Sequence, residues 1–173
     1  MRGEMFSKKG FTLIEILMVV VIISILGGIV MAASSYMTRL SRSKRLAVTK
    51  TVLETAIYRY RAEYGDWPLP SGKENDDSEE IVISGEDNKE VFGALRMASD
   101  RNPDRIQFID ETTILAWDKN RGQVLPLAQT DRKKDMPLVY IDGNGKYKSS
   151  GGTMNYFTVK IHTVDETVKV ETR

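Results

Sequence analysis

The sequence predicts an α+β fold in which one long N-terminal helix is followed by a small antiparallel β-sheet domain. An apolar run from Ile16 to Ala33 is broken only by Ser24. At about 1.5 Å per residue this run would form a helix about 27 Å long, close to the thickness of a bilayer core. Nothing breaks the helical pattern after it until Tyr64-Gly65. Beyond that point, short segments rich in β-branched and aromatic residues alternate with turn signals, which favours antiparallel strands.

The apolar run is long enough to span a membrane as a helix. A cleavable secretory signal is the alternative, although its apolar core is expected to be shorter and to precede a small-x-small cleavage site. Ala32-Ala33-Ser34 could imitate such a site, so composition alone leaves this alternative open. Basic residues at 39–45, just beyond the run, compete with the basic N-terminal residues under the positive-inside rule, so charge counting does not determine the topology.

The second half of the predicted helix carries an apolar stripe at helical spacing, which a soluble domain must cover. The stripe consists of Leu46, Leu53, Ile57, Tyr60 and Tyr64, widened by Val52 and Ala56, and the polar face carries Lys50, Arg59 and Arg61. Gly65 fits the position just past a helix end, and Pro68 prevents the helix from resuming. We therefore expect a helix from Phe11 to Tyr64.

One short helix and several short strands are predicted after the long helix. Asp87 followed by Glu90 forms a capping box, which indicates a helix from about Asn88 to Ala98. Asp142-Gly143-Asn144-Gly145 is a strong turn signal. Strands are expected where β-branched and aromatic residues cluster, at Glu80–Ser84, Ile106–Asp110, Thr113–Trp117, Met136–Ile141, Asn155–Thr163 and Thr167–Glu171.

Composition limits the possible functions. The 173 residues leave room for one ordinary domain beyond a membrane anchor, and the formal net charge is +1. The lack of cysteine excludes disulfides, thiolate metal sites and cysteine nucleophiles. Seven basic residues and one acid, Glu54, lie between Arg39 and Arg61, whereas eight acids and one lysine lie between Glu74 and Glu90. Each segment alone is explained by a solvated surface. Taken together, the basic and acidic segments could also form contacts between copies of the chain, and the basic segment could bind anionic lipid.

Residues suited to catalysis are sparse. His162 is the only histidine, and it alternates with Val159 and Ile161, as expected for a solvent-facing strand residue rather than a catalytic base. No P-loop, GxSxG or GxGxxG motif occurs. The segment Tyr58-Arg59-Tyr60-Arg61 resembles a stacking surface for single-stranded nucleic acid. However, a helix that supplies the apolar stripe must bury those tyrosines, so nucleic acid is not an expected partner.

The segment KKGFTLIE, from Lys8 to Glu15, resembles the processing site of type IV prepilins and of the pseudopilins of type II secretion. The resemblance implies that a prepilin peptidase cuts between Gly10 and Phe11, that Phe11 is then methylated, and that Glu15 is the assembly acid near the mature N-terminus. It also implies four regions: a leader at 1–10, a transmembrane and fibre-core helix at 11–35, a soluble half of the helix at 36–65, and a globular α+β domain of the pilin kind at 66–173.

A physical argument that does not depend on the resemblance also gives Glu15 a role. An acid at the edge of an apolar span costs about 2–3 kcal/mol and usually has a partner. Within one chain the nearby cation would be the Phe11 ammonium that cleavage creates. In a bundle of parallel helices Glu15 could instead meet the terminal ammonium of a neighbouring subunit, and this pair would fix the helix register. A solvated acid at the membrane edge is the alternative.

The resemblance implies a structural protein without enzymatic activity. The precursor would cross the inner membrane once, with its N-terminus in the cytoplasm and its C-terminal domain in the periplasm. It would then polymerise into a helical fibre, periplasmic or extracellular, with other pilin-like subunits and an inner-membrane assembly platform as partners. The segment AIYRYRAEYGDWP, from Ala56 to Pro68, is similar to the junction after the helix in major pseudopilins, and many adhesive pilins carry a disulfide that this chain lacks. A type II secretion pseudopilin is therefore favoured.

Two alternatives stay open at this point. One is a type IV pilus subunit that serves adhesion, motility or DNA uptake. The other is a membrane-tethered periplasmic domain that follows an ordinary signal peptide.

Calcium is the cofactor that the resemblance raises, because major pseudopilins bind it in a C-terminal loop that follows an Asp-Pro-Trp-Gly segment. Here the corresponding region, Asp135 to Tyr140, reads DMPLVY. Asp142 and Asn144 have the alternate-oxygen spacing of a calcium loop, but no glutamate follows at the distance that an EF-hand requires. A hairpin turn explains this segment fully. We therefore expect no cofactor, with calcium as the alternative and no ligand assigned to it.

Overall fold

The structure is a computed structural model that describes residues 11–73, 76, 78–97, 100–131 and 134–172. Short 3-10 turns occupy Gly85–Asp87 and Leu127–Gln129. The predicted α+β class, with a long N-terminal helix before small antiparallel sheets, is confirmed. In chain order the elements are α1 (Leu13–Tyr64), β1 (Glu80–Ile83), α2 (Asn88–Ala94), β2 (Leu115–Asp118), β3 (Gln123–Pro126), β4 (Leu138–Val139), β5 (Phe157–His162) and β6 (Thr167–Thr172).

Helix α1 ends where the sequence predicts. Gly65 adopts a positive φ of 82°, and its N–H donates to the carbonyl of Arg61 at 2.8 Å, which closes the last turn. Contacts divide the chain inside α1: one unit ends at Leu40 and the other begins at Ser41. In the first unit every described side chain is exposed.

The second unit has one hydrophobic core, to which α1, α2 and both sheets contribute. Leu53 and Ile57 of α1 are fully buried, and the rest of the predicted stripe lies at the edge of the core, so the stripe is confirmed. The prediction that Val52 widens the stripe is wrong, since its side chain is 40% exposed. Val52 lies about 100° around the helix from the centre of the buried face, which is too far to reach the sheets.

Two three-stranded antiparallel sheets, of order β1-β5-β6 and β3-β2-β4, are joined by the side chain of Asn88. Its Nδ2 donates to the carbonyls of Leu138 in β4 and Phe157 in β5, each at 3.0 Å, and its Oδ1 accepts the N–H of Leu138 at 3.0 Å. A bridge between Val139 and Tyr156 also links the sheets. Because Asn88 is fully buried, these bonds hold the sheets together without access to water.

Strands β5 and β6 form the predicted hairpin, with Phe157 opposite Thr172 and His162 opposite Thr167. Strand β6 is the outer strand of its sheet, and α1 covers its free edge. The N–H of Val168 donates to the hydroxyl of Tyr58 at 2.7 Å, and the N–H of Val170 donates to Oε1 of Glu54 at 2.8 Å. Glu54 is the single acid of the basic segment 39–61, so this bond explains why an acid occurs there.

The predicted capping box before α2 is wrong. Asp87 has helical φ and ψ angles, and its side chain makes no capping hydrogen bond. Asp87 is the last residue of the 3-10 turn that directly precedes α2, so its backbone is already helical where a cap residue would be extended. Glu90 instead accepts the N–H of Ser71 and a guanidinium N–H of Arg101, each at 2.7 Å. The helix ends at Ala94, earlier than predicted, and the predicted end at Ala98 lies outside the described residues.

Residues 106–110, all of which the structure describes, form no strand, contrary to the prediction. Phe108 and Ile109 are buried, which accounts for their apolar character, but the N–H of Ile106 is bound by Oδ1 of Asn102 at 2.9 Å. The segment therefore packs on the core without joining a ladder. Strands β1, β2 and β4 lie within or overlap their predicted ranges, and β3 was not predicted.

Candidate functional site

The start of α1 is capped by two side chains that bind each other's backbone. The N–H and the hydroxyl of Thr12 donate to Oε2 of Glu15 at 2.8 Å and 2.9 Å. In return, the N–H of Glu15 donates to Oγ1 of Thr12 at 3.3 Å. This reciprocal pair is a capping box, which binds N–H groups that have no partner inside the helix.

Sequence reasoning missed this capping box, although Thr12-Leu13-Ile14-Glu15 carries its Thr-x-x-Glu signature. The structure therefore gives the carboxylate of Glu15 polar partners within its own chain. Phe11, just before the cap, is 79% exposed. The pairing of Glu15 with a Phe11 ammonium stays a prediction. Gly10, on the other side of the predicted cleavage point, lies outside the described residues.

The apolar run of the first unit, residues 16–33, is exposed on all sides. Among the described helices, α1 has the length and composition to cross a membrane. Ser24, the polar residue within the run, donates its hydroxyl to the carbonyl of Val20 at 2.8 Å, so it brings no unsatisfied donor into lipid. The exposed large side chains between residues 16 and 31 are Ile16, Leu17, Met18, Val19, Val20, Val21, Ile22, Ile23, Ile25, Leu26, Ile29, Val30 and Met31.

Three of the eight acids of the acidic segment are paired with cations in the described part of the second unit. Glu86 lies 3.5 Å from Lys119, Glu90 lies 2.7 Å from Arg101, and Glu80 lies 3.8 Å from the amino group of Lys160. Glu74 and Asp77 of this segment lie outside the described residues. The predicted role of the acidic segment in contacts between copies stays a prediction.

The turn with the spacing of a calcium loop is held by its own backbone. Oδ1 of Asp142 accepts the N–H groups of Asn144 at 2.9 Å and Lys146 at 2.8 Å. These bonds, that of Lys146 above all, lower the pKa of Asp142. The N–H of Gly145 donates to the carbonyl of Asp142 at 3.0 Å, so the predicted turn is confirmed. Among the residues that the structure describes, no three His, Asp or Glu side chains are grouped as a metal ion would require.

The remaining candidate residues belong to the packing of the second unit. His162 lies in β5 and is partly exposed, on the strand face that also carries Lys160. The guanidinium of Arg61 lies 4.1 Å from the ring centre of Trp67, and the ring of Tyr58 lies 6.0 Å from the same indole. Tyr60 packs against the core. Tyr58 is 39% exposed, so the expectation that the helix buries both tyrosines is wrong for Tyr58. That nucleic acid is not a partner stays a prediction.

The prokaryotic N-terminal methylation motif matches residues 5–31 of the chain. These residues include Gly10 and Phe11, the capped start of α1 and most of the apolar run. No curated protein and no solved structure matches the chain. The methylation motif, which includes most of the exposed apolar run, indicates a type IV pilin-like protein that is processed as a prepilin and has an N-terminal helix suited to membrane anchoring.

Proposed function

We propose that the chain is a structural subunit of a type II secretion pseudopilus. Prepilin peptidase would cut it between Gly10 and Phe11, Phe11 would be methylated, and the mature chain would polymerise through its N-terminal helix. The observation that carries this proposal is the exposed apolar surface of residues 16–33 of α1, next to a prepilin processing motif. Lipid covers such a surface before assembly, and parallel copies of the same helix can cover it afterwards.

The subunit works mechanically in this proposal. The precursor crosses the inner membrane once, with its N-terminus in the cytoplasm and its globular part in the periplasm. Addition of subunits by an inner-membrane assembly platform, together with other pilin-like subunits, extends a fibre that moves secreted proteins. The chain performs no catalysis and uses no cofactor. A charge pair between Glu15 and the Phe11 ammonium of a neighbour sets the register of the helices.

A type IV pilus subunit is the second candidate, because it would carry the same methylation motif. The lack of cysteine and the junction at Tyr64-Gly65-Asp66-Trp67-Pro68 favour the pseudopilus. The location of the fibre and the phenotype of a strain that lacks the gene separate the two functions. Loss of exoprotein secretion supports the pseudopilus, whereas loss of surface fibres with normal secretion supports the pilus.

Processing is tested by changing Gly10→Val in the full chain. Glycine allows the protease to approach the backbone closely, and a valine side chain obstructs that approach. The variant should therefore accumulate as a precursor that retains residues 1–10, whereas the wild type should show a methylated Phe11 at its N-terminus by mass spectrometry. Gly3→Val changes a glycine in the same leader and should leave processing normal. A mature-sized Gly10→Val product, or a wild-type terminus near Ser34, would refute the assignment.

A further inference from the structure

An apolar cleft lined by two cations opens in the second unit between α1 and the sheets. It has a volume of about 340 Å³, and Arg42 and Arg45, about one turn apart on α1, line it. None of the described residues that line it is acidic. Its size lies at the lower end of the range for ligand pockets, about 300–1,000 Å³. Its apolar lining includes Leu46, Leu115, Val139 and Phe157. We call this site the basic cleft.

The two guanidinium groups of the basic cleft have no partner among the residues that the structure describes. Arg42 lies against the turn at Gly145, where an added Cβ would be 2.5 Å from Nη1 of Arg42. Asp142, the acid of that turn, uses Oδ1 to bind backbone N–H groups. Arg45 is exposed. Two cations beside an apolar surface fit a group that brings an anion and an apolar side chain together.

The turn between β5 and β6, residues 163–166, has this complementary chemistry. Val164 is 71% exposed, and Asp165 beside it is exposed and has no partner in the described part of the chain. Glu166 binds Arg61 at 2.6 Å, which places the turn beside the last turn of α1. Glu63 and Asp66 are also exposed at this end. We call residues 163–166 the hairpin tip.

The basic cleft and the hairpin tip lie at opposite ends of the second unit. Arg45 and Arg61 are separated by about 24 Å along α1, at about 1.5 Å per residue. The two complementary surfaces therefore cannot meet within one chain. A contact between two different surfaces of identical subunits is heterologous, and where it does not close into a ring it propagates as an open helical filament.

We propose that the hairpin tip of one copy docks in the basic cleft of the next copy. Val164 contacts the apolar lining, and Asp165 pairs with Arg45 and Arg42. With this contact, we identify two surfaces that would meet between subunits of the proposed fibre. The inference therefore rests on the proposed function. The contact is much smaller than a stable interface, so it forms only when the N-terminal helices hold neighbouring copies together at high effective concentration. Its role is to select the axial offset between the globular parts.

Disulfide cross-linking in cells tests the contact, because the chain has no cysteine of its own. The full chain with Arg45→Cys and Asp165→Cys together is produced, and the sheared fibre fraction is run on a non-reducing gel. A bond within one chain is excluded by the separation of the two ends, since a disulfide needs Cα atoms within about 7 Å. The expected result is a ladder of covalent multimers that reducing agent collapses. Each single-cysteine variant can form nothing larger than a dimer.

Ala47→Cys with Asp165→Cys is the matched control. Ala47 is exposed on the opposite side of α1 from Arg45, two residues further along the helix, so this pair should give no ladder. If fibres form from the chain with Arg45→Cys and Asp165→Cys but show no ladder, the contact is overturned and the proposed function stands. The cleft would then be empty or filled by lipid. A wild-type chain that forms no fibre would instead refute the proposed function and this contact with it.

Charge reversal provides a second test that needs no cross-link. Arg45→Glu and Asp165→Lys should each lower the yield of sheared fibres about tenfold or more, since like charges then face each other. The two changes together restore the attraction at these two positions with its sign reversed, although Arg42 then repels the new lysine, so the yield should rise clearly above that of either single variant. Membrane levels of the processed subunit serve as the control for folding and insertion. If the double variant assembles no better than either single variant, the two positions do not meet.

Discussion

At the start of α1, the carboxylate of Glu15 accepts two hydrogen bonds from Thr12 and also carries the negative charge proposed for assembly. The two roles draw on different properties of the group. The capping box needs an acceptor oxygen and is satisfied by glutamate or glutamine. Pairing with a neighbour's Phe11 ammonium needs the negative charge, so a change that keeps the oxygen and removes the charge separates the roles.

We predict that Glu15→Gln is inserted and processed but does not enter fibres. The capping box is preserved, but the ammonium of the neighbouring Phe11 loses its partner as the helices bundle. An unpaired buried charge costs about 3–5 kcal/mol, which lowers subunit addition by more than about a hundredfold. The measurement is the fibre yield after shearing from cells in which this is the sole copy.

Thr12→Ala is the matched control for the Glu15 variant, because it removes the hydroxyl of the capping box and retains the charge. Loss of a capping side chain costs about 1 kcal/mol, so the fibre yield should fall by less than about tenfold. Wild-type fibre yield from Glu15→Gln would show that the carboxylate serves the helix start alone.

Arg96 shows a residue role that sequence reasoning could not find. Its side chain is almost fully buried, and its Nε donates to Oε1 of Glu111 at 3.2 Å. Its Nη2 donates to the carbonyl of Leu127 and to the hydroxyl of Thr130, and its Nη1 donates to the carbonyl of Lys134. A buried arginine is tolerated only when its donors are bound in this way. No local pattern predicts the bonds, because the partners come from separate loops.

At the scale of single elements, α1 protects the outer strand of a sheet. A free strand edge presents unpaired N–H and C=O groups, to which another chain can add. Two N–H groups of β6 are hydrogen-bonded to α1. That of Val168 donates to the hydroxyl of Tyr58, and that of Val170 donates to the carboxylate of Glu54. The helix therefore contributes polar contacts to the sheet as well as the apolar face that the sequence pattern predicts.

We predict that Tyr58→Phe exposes the edge of β6 with little change in packing. The ring that lies 6.0 Å from Trp67 is kept, while the acceptor for the N–H of Val168 is lost. The stability should fall by about 1–2 kcal/mol, as for a hydrogen bond whose partner is left unsatisfied. Hydrogen exchange by NMR on the full chain in detergent should be faster at Val168. The Lys169 amide, which faces β5, should be much less affected. Equal changes at both amides would contradict an edge role.

The apolar face of α1 makes a second prediction at this scale. Ile57→Ala should destabilise the second unit by about 2–4 kcal/mol, because its side chain is fully buried and the change leaves a cavity. Val52→Ala is the matched control on the same helix and should cost less than about 0.5 kcal/mol, since Val52 is 40% exposed. Thermal unfolding of the two variants measures the difference. Equal shifts in melting temperature would mean that the helix does not cover the sheet at Ile57.

For the whole molecule, the parts with a strong local signal could be predicted from the sequence. The long helix, its end at Tyr64-Gly65 and the β5–β6 hairpin follow from periodicity and turn chemistry. The processing motif is local too, and the methylation motif that matches residues 5–31 overlaps it. By contrast, Ile106–Asp110 has the composition of a strand, yet the side chain of Asn102 takes the N–H that a ladder would use. Burial alone therefore produced a strand-like pattern without a strand.

The features that sequence reasoning missed depend on contacts between distant segments. Strand β3 has few β-branched residues, and it is defined by its pairing with β2, where Ala116 lies opposite Leu125. The basic cleft is likewise formed by residues of α1, β2, β4 and β5, so the sequence of no single segment predicts it. The basic residues at its rim were visible in the sequence, but the apolar lining beside them was not.

The last prediction concerns the smallest part of the chain that folds. A fragment of residues 41–173 should be soluble and monomeric and should unfold cooperatively, because it retains the helix residues of the core and loses the apolar surface of residues 13–40. The contact between hairpin tip and basic cleft is too small to hold two such fragments together at micromolar concentration.

A fragment of residues 66–173 should not fold. It lacks Leu53, Ala56 and Ile57 of the core, and the N–H groups of β6 lose Tyr58 and Glu54. Size-exclusion chromatography and circular dichroism during heating distinguish the two fragments. A cooperative transition in residues 66–173 would mean that the sheets form a domain without α1.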